Sequence, residues 1–210
     1  MSSLCLPHAT LWRMFPLDLV HSLSEAAAMW SGWIAILLST LSWTLPALEA
    51  AKCKAAPKSV QNVQICCPAP MPNWGVYNVE CRDSGQQPSC RLACIFNAST
   101  ALQGPRLRLD RVRPMLQRAF GHQSTIDAYA SNFGNCSALV YSKYQELAGV
   151  SRQSDACDRH ALFYSLCAYF RLMQHCPTAF WQRNNKMCQE ARSYTSNCFW
   201  PGFKRFMNST

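Results

Sequence analysis

Acidic residues are scarce in this sequence, and the common catalytic motifs are absent. The 210 residues include 11 Asp+Glu against 20 Lys+Arg and only 8 Gly, which excludes acidic disordered, coiled-coil and collagen-like chains. There is no G-x-S-x-G, H-E-x-x-H or G-x-x-x-x-G-K motif, so none of these patterns suggests an enzyme. C-x2-C and H-x3-H pairs are also missing, and we expect no metal site and no cofactor.

Cysteine, by contrast, is abundant. Of 13 cysteines, 12 lie in residues 51–210, where 19 basic and 8 acidic residues leave a net charge of +11. An even number of cysteines at this density is typical of a disulfide framework formed in an oxidising compartment. Spacing alone does not select the pairing. The twelve are Cys53, Cys66, Cys67, Cys81, Cys90, Cys94, Cys136, Cys157, Cys167, Cys176, Cys188 and Cys198.

The first 50 residues have the composition of a targeting segment. No charged residue occurs from Met29 to Leu48, and the apolar core has the length of a signal-peptide h-region. We predict a signal peptide over 29–50, with cleavage near Ala50, and we interpret residues 1–28 as an artefact of gene prediction. The alternative is an uncleaved signal anchor. No second apolar run reaches the ~18 residues of a membrane span, so we predict a secreted, extracellular protein.

Residues 51–210 are predicted to form one domain. Residues 51–88 are rich in proline and read as a stapled N-terminal arm, and the aromatic tail covers 199–210. Between them, helical blocks alternate with turn residues, and no β alternation is sustained. The class is all-α: a compact, disulfide-stapled domain of about six to eight helices. The predicted helices run from about Ser89 to Phe96, Asp110 to Gly121, Ser124 to Gly134, Ser137 to Gly149, Asp155 to His175 and Thr178 to Arg192.

Three sequons add to the secretory interpretation. Asn97 and Asn208 are the candidate glycosylation sites. Asn135 is the weaker one, because a disulfide at the adjacent Cys136 would restrain that turn.

The cysteine ladder carries the most specific information. It reads Cys90-x3-Cys94, then Cys136-x20-Cys157-x9-Cys167-x8-Cys176-Pro177-x10-Cys188. This ladder, with its proline directly after a cysteine, resembles the Plus-C subgroup of insect odorant-binding proteins. The segment after Cys94 and the pair Cys66-Cys67 are also similar to that subgroup, and the resemblance covers about residues 53–198.

The resemblance implies both a fold and a set of bonds. Members of that family are compact sets of helices around an apolar cavity, locked by disulfides. Carried over, the second general cysteine falls on Cys90 and the fifth on Cys167, which implies a Cys90–Cys167 bond. Cys94 would reach back to the arm, to Cys66, Cys67 or Cys81, and Cys176 would bond Cys136 or Cys157.

Apolar stripes at helical spacing supply the candidate cavity wall, although such stripes are also typical of an ordinary core. Tyrosine hydroxyls are the candidate polar contacts. We predict that the tail folds back and plugs the pocket; the alternative is a satellite cluster held by Cys198. The candidate ligand-binding residues are Val112, Leu116, Phe120, Ile126, Tyr129, Phe133, Val140, Tyr144, Leu162, Phe163, Leu166, Tyr169, Phe170, Met173 and Phe203.

These observations favour a secreted carrier that solubilises a small apolar molecule. By resemblance the ligand is an odorant, a pheromone or a similar semiochemical, the fluid is sensillar lymph or haemolymph, and a chemosensory receptor or membrane surface is a further partner. We expect a monomer or homodimer and no nucleic acid. Acid-induced release through His122, His160 or His175 is a further hypothesis.

The alternative function is a basic extracellular protein that binds anionic lipid, glycan or a receptor surface. It rests on five arginines within 13 residues, against a single Asp110. They are Arg106, Arg108, Arg111, Arg113 and Arg118.

Overall fold

The computed structural model describes residues 53, 55–85, 87–150 and 157–209, and most of these described residues are helical. These residues belong to one compact unit. The predicted signal peptide and the predicted artefact 1–28 lie outside the described residues. The α-helices are α1 (Val63–Cys66), α2 (Pro88–Ala98), α3 (Leu109–Ala119), α4 (Gln123–Val150), α5 (His160–Phe170), α6 (Leu172–His175), α7 (Lys186–Asn197) and α8 (Phe199–Ser209).

The remaining regular structure is small. Two 3-10 helices, Lys58–Gln61 and Trp74–Tyr77, lie in the N-terminal arm. Strands β1 (Leu102–Gln103) and β2 (Arg106–Leu107) form an antiparallel hairpin, which the sequence did not indicate. The all-α, disulfide-stapled class is confirmed. Within the part of the chain that the structure describes, no helix has the length and apolarity to cross a membrane.

One long helix, α4, replaces two predicted ones. The turn expected at Gly134 does not form, because an interior glycine costs a helix only about 1 kcal/mol and burial on both sides of it outweighs that cost. Phe133, Cys136 and Val140 are all buried. Asn132, also buried, donates a hydrogen bond from its side-chain amide to the Ala168 carbonyl at 3.1 Å. This long helix is therefore held along its length by the facing helix.

The predicted core helix from Asp155 to His175 is split. Its first residues, 155 and 156, lie outside the described part. Helix α5 starts at His160, whose backbone N–H donates a hydrogen bond to the Asp158 carboxylate at 2.8 Å. The helix is interrupted at Arg171, and α6 follows. Helices α2, α4 and α8 pack around α5, as expected for a helix that is apolar on all sides.

Three boundaries differ from the sequence patterns. The start of the helix predicted from Thr178 to Arg192 is wrong: residues 178–185 form turns and irregular structure. Helix α7 begins only after Asn185, whose side chain accepts the Met187 N–H at 3.0 Å. That cap satisfies an N-terminal donor and so fixes the start of the helix. The helices predicted to start at about Ser89 and Asp110 each begin one residue earlier, α2 at Pro88 and α3 at Leu109.

Six disulfides join all twelve described cysteines. The predicted Cys90–Cys167 bond is wrong, and so is the expected partner of Cys176. Cys94 does reach the arm. The bonds are Cys53–Cys198, Cys66–Cys188, Cys67–Cys176, Cys81–Cys94, Cys90–Cys157 and Cys136–Cys167.

The corrected pairing follows from which helix faces which. Cys167 lies on the side of α5 that packs on α4, with its Cα 6.1 Å from that of Cys136. Cys90 at the start of α2 instead lies beside the segment entering α5, and its Cα is 5.0 Å from that of Cys157. Both distances are in the range that a disulfide spans without distortion.

The arm is fastened to the C-terminal third of the chain. Three of the bonds link residues separated by 145, 122 and 109 positions. They hold the arm against α6, α7 and the start of α8, and the arm thereby becomes one wall of the site described below.

Candidate functional site

An apolar pocket of about 280 Å³ lies where the arm meets the helices, and it is partly open to the surface. This volume is at the small end of the range for ligand sites. Apolar and aromatic side chains dominate the lining, with three hydroxyl-bearing residues among them. The pocket is lined by Met71, Pro72, Trp74, Leu92, Tyr129, Phe133, Leu162, Ser165, Leu166, Tyr169 and Phe206.

Helical spacing explains how the two central helices contribute. On α4, Tyr129 and Phe133 are four residues apart and so share a face. On α5, residues 162, 165, 166 and 169 follow the i, i+3, i+4, i+7 pattern of one helix face. The Cys136–Cys167 bond joins these two helices. It fixes the spacing of the two faces that provide most of the wall.

Aromatic contacts continue from the pocket into the core. The rings of Phe133 and Phe96 have centroids 5.8 Å apart, and Trp74 lies 6.4 Å from Phe96. On another side, Tyr169 and Phe206 are 5.9 Å apart. These tilted arrangements are common for aromatic pairs. Phe96 thus supports Trp74 and Phe133 from behind, and Tyr169 packs on Phe206 within the wall.

The polar side-chain groups of the pocket are few: three hydroxyls and the indole N–H of Trp74. The Tyr129 hydroxyl lies 3.9 Å from the Met71 sulfur. Burial raises the pKa of Tyr129 well above its ordinary value, and burial also raises the pKa of Tyr169, against a hydrogen bond with Gln64 that lowers it. Both phenols therefore stay protonated and neutral at physiological pH.

Ser165 carries the third hydroxyl of the pocket. Its Oγ is buried and has no hydrogen-bond partner among the described residues. A helical serine commonly bonds the carbonyl four residues earlier, but the Ser165 hydroxyl does not. A buried hydroxyl without a partner is costly to the protein. A ligand with one hydrogen-bonding atom would satisfy it.

The aromatic tail folds back, as predicted, but as helix α8. It supplies Phe206 to the wall of the pocket. Phe203 is fully buried behind the wall, with its ring 5.7 Å from that of Phe170. Assigning Phe203 to the lining is wrong, because the helical turn points it into the core. The tail is thus a wall that leaves the pocket partly open.

Of the fifteen predicted ligand residues, the structure brings five together in the pocket: Tyr129, Phe133, Leu162, Leu166 and Tyr169. Most of the others are buried in the solid core, on faces turned toward neighbouring helices, and Tyr144 stacks on His160 with a ring separation of 3.7 Å. Those outside the lining are Val112, Leu116, Phe120, Ile126, Val140, Tyr144, Phe163, Phe170, Met173 and Phe203.

Six lining residues were missed by sequence reasoning. Ser165 had a signal, since it shares a helix face with Leu162 and Leu166. Phe206 had a weaker one, because it lies three residues after Phe203. The rest, Met71, Pro72, Trp74 and Leu92, had none: three of them come from an irregular arm that disulfides place there.

The arginine cluster is largely compensated by nearby acids. Four of its five members contact a carboxylate, and Arg106 packs over the Tyr141 ring at 4.8 Å. All these ion pairs are solvent-exposed, where each contributes little free energy. The four pairs are Arg108–Asp110 at 2.9 Å, Arg111–Asp110 at 3.4 Å, Arg113–Asp127 at 2.5 Å and Arg118–Glu80 at 2.7 Å.

The three histidines that the structure describes do not come together. His122 and His175 are exposed, whereas His160 is buried and contacts the Asp158 carboxylate through Nδ1. Among the described residues, no group of three or more His, Cys, Asp and Glu side chains is positioned to hold a metal ion. The candidate glycosylation residues Asn97 and Asn208 are both exposed, and their modification stays a prediction.

A scan against protein-family models, a search of curated proteins and a search of solved structures each returned no match. We therefore infer function from the pocket itself and from the disulfide frame around it.

Proposed function

We propose that this protein is a secreted carrier that binds one small, mainly apolar molecule in the pocket between the arm, α4 and α5. The observation that carries the proposal is the lining. Seven of its eleven residues have no side-chain N–H or O–H group, and the other four offer only three hydroxyls and the indole N–H of Trp74. Such a site gives affinity through apolar burial and orientation through one or two hydrogen bonds.

The disulfide frame supports an extracellular role. Six bonds belong to an oxidising environment, and three of them hold the arm that closes one side of the pocket. A pocket that is held open by covalent bonds does not depend on a ligand to keep its shape. This property suits a protein that must release its cargo and survive outside the cell.

The resemblance to Plus-C odorant-binding proteins belongs to the same proposal. It implies a bond between the second and fifth general cysteines. With the fifth general cysteine at Cys167, that bond is not formed, since Cys90 pairs with Cys157. The resemblance therefore rests on the cysteine spacing and on Pro177. We propose on this basis an odorant- or pheromone-like ligand, carried in an extracellular fluid such as sensillar lymph.

The pocket mouth offers a matched pair of variants. Met71 lines the pocket and is 56% exposed, whereas Met187 is 55% exposed and lies outside it. Met71→Arg places a charge against the apolar opening, where an unpaired charge is unfavourable. Met187→Arg adds the same charge at an equally exposed position.

The test is displacement of a fluorescent naphthylamine probe by neutral volatiles. We expect Met71→Arg to weaken probe binding by about tenfold or more, and Met187→Arg to leave it unchanged. No probe binding by the wild-type protein, or equal binding by both variants, would contradict the proposal. Because both methionines are exposed, neither variant is expected to disturb folding.

A further inference from the structure

A second cleft, separate from the apolar pocket, lies between α7 and the turns that precede it. Its volume is about 430 Å³, and it shares no lining residue with the apolar pocket. Two guanidinium groups and two hydroxyls are part of its wall, and no carboxylate lines it. The lining residues are Cys176, Thr178, Trp181, Arg183, Gln189, Arg192 and Ser193.

Arg192 is held in a fixed orientation within this cleft. Its guanidinium lies over the Trp181 ring, 3.5 Å from the ring centroid, and its Nε donates a hydrogen bond to the Met173 carbonyl at 3.1 Å. Its terminal N–H groups contact no acceptor among the described residues. The guanidinium is therefore held against the indole ring and hydrogen-bonded along one edge. The N–H groups of its other edge can donate two parallel hydrogen bonds to an anion.

The backbone of the second arginine, Arg183, is attached to α7. The Gln189 side-chain amide donates to the Arg183 carbonyl at 2.7 Å, which fastens the turn to α7. Gln189, Arg192 and Ser193 are spaced i, i+3, i+4 on that helix and so share the face toward the cleft. The loop and the helix thereby bring Arg183 and Arg192 to the same opening.

Among the described residues, no carboxylate lines this cleft or forms an ion pair with Arg183 or Arg192. Burial lowers the pKa of Arg192, and burial together with Arg171 and Arg192 lowers the pKa of His175. Glu190 is on the same helix but does not line the cleft. A pair of guanidinium groups without a carboxylate differs from the arginines of residues 106–118, most of which are ion-paired.

We propose that this cleft binds a small oxyanion, the head of a carboxylate, phosphate or sulfate. Arg183 and Arg192 supply the charge, and the Thr178 and Ser193 hydroxyls donate to the remaining oxygens. The guanidinium fork matches the geometry of such anions. This site is independent of the apolar pocket and stands whether or not the carrier proposal holds.

The test uses the oxidised full-length protein from a eukaryotic secretory host. Sodium phosphate, sulfate and acetate are titrated at constant ionic strength, set with chloride, and binding is followed by calorimetry and by tryptophan fluorescence, since Trp181 lies against Arg192. The variants are Arg183→Gln and Arg192→Lys. The control is Arg113→Gln, which removes an exposed arginine paired with Asp127 far from the cleft in sequence.

We expect saturable binding of at least one of the three anions, at about millimolar concentration, and a loss of about tenfold or more in both variants. Arg113→Gln should bind like wild type. The relative strength of phosphate, sulfate and acetate then identifies the head group. No saturable response to any of the three, or an equal response in Arg183→Gln and Arg113→Gln, would overturn the proposal. Arg183 is exposed, so its variant remains informative even if Arg192→Lys impairs folding.

Discussion

Replacing Ser165 with alanine tests two effects of its hydroxyl: the destabilisation of the empty protein and the hydrogen bond to a bound ligand. The hydroxyl is buried at the pocket wall and has no partner among the described residues. An unsatisfied buried hydroxyl costs about 1–3 kcal/mol, part of which alanine recovers. We therefore expect the free energy of unfolding of the empty protein to rise by about 1 kcal/mol.

The same change should weaken the preference for ligands that carry one hydrogen-bonding group. A neutral hydrogen bond contributes about 0.5–1.5 kcal/mol, so the ratio of affinities for a linear alcohol and the matching alkane should fall by about 2- to 10-fold. The two affinities come from displacement of the same fluorescent probe, and the unfolding free energy comes from urea denaturation.

Ser89→Ala is the matched control for this experiment. Ser89 is fully buried on α2, and its Oγ likewise has no partner among the described residues, but it does not line the pocket. The Ser89→Ala variant should raise the free energy of unfolding or leave it unchanged. It should also leave the ratio of affinities for the alcohol and the alkane unchanged. The reasoning would be refuted if Ser165→Ala destabilised the protein by more than about 1 kcal/mol or left the affinity ratio as it was.

Two further predictions concern stability. Replacing both Cys136 and Cys167 with alanine should lower the free energy of unfolding by about 3–4 kcal/mol, because the bond spans 31 positions; a loss below about 1 kcal/mol in urea denaturation would contradict this. The pKa of His175 is lowered in the folded state from its ordinary value of 6.5, so the unfolded chain takes up the proton more readily. Its contribution to stability is therefore present above pH 6.5 and is lost as the pH falls below that value. His175→Gln should make the urea midpoint less dependent on pH between 7.5 and 5; an unchanged or steeper dependence would show that His175 is not responsible.

Local pattern predicted the fold class and part of the pocket. The apolar run in α5 identified the central helix, and its spacing brought Leu162, Leu166 and Tyr169 to one face. The even cysteine count predicted six disulfides. These features are encoded within single helices or in composition, which is why they could be read without the structure.

Long-range placement was not predictable in the same way. The positions of Cys90 and Cys167 in the sequence do not show which helices pack together. The bond predicted between them was therefore wrong. Trp74 and Met71 reach the pocket from an irregular arm, and their position depends on disulfides to residues more than 100 positions away. The sequence also did not show which tail residue lines the pocket, because that depends on how α8 packs. In the structure Phe206 faces the pocket and Phe203 faces the core.

The central claim is that the pocket holds one small apolar molecule. Native mass spectrometry of the oxidised protein, offered a mixture of neutral volatiles and lipids, tests it most directly. We predict a single added mass of an apolar compound, which Met71→Arg reduces and Met187→Arg does not. An oxidised, folded protein that stays empty in this mixture would contradict the account.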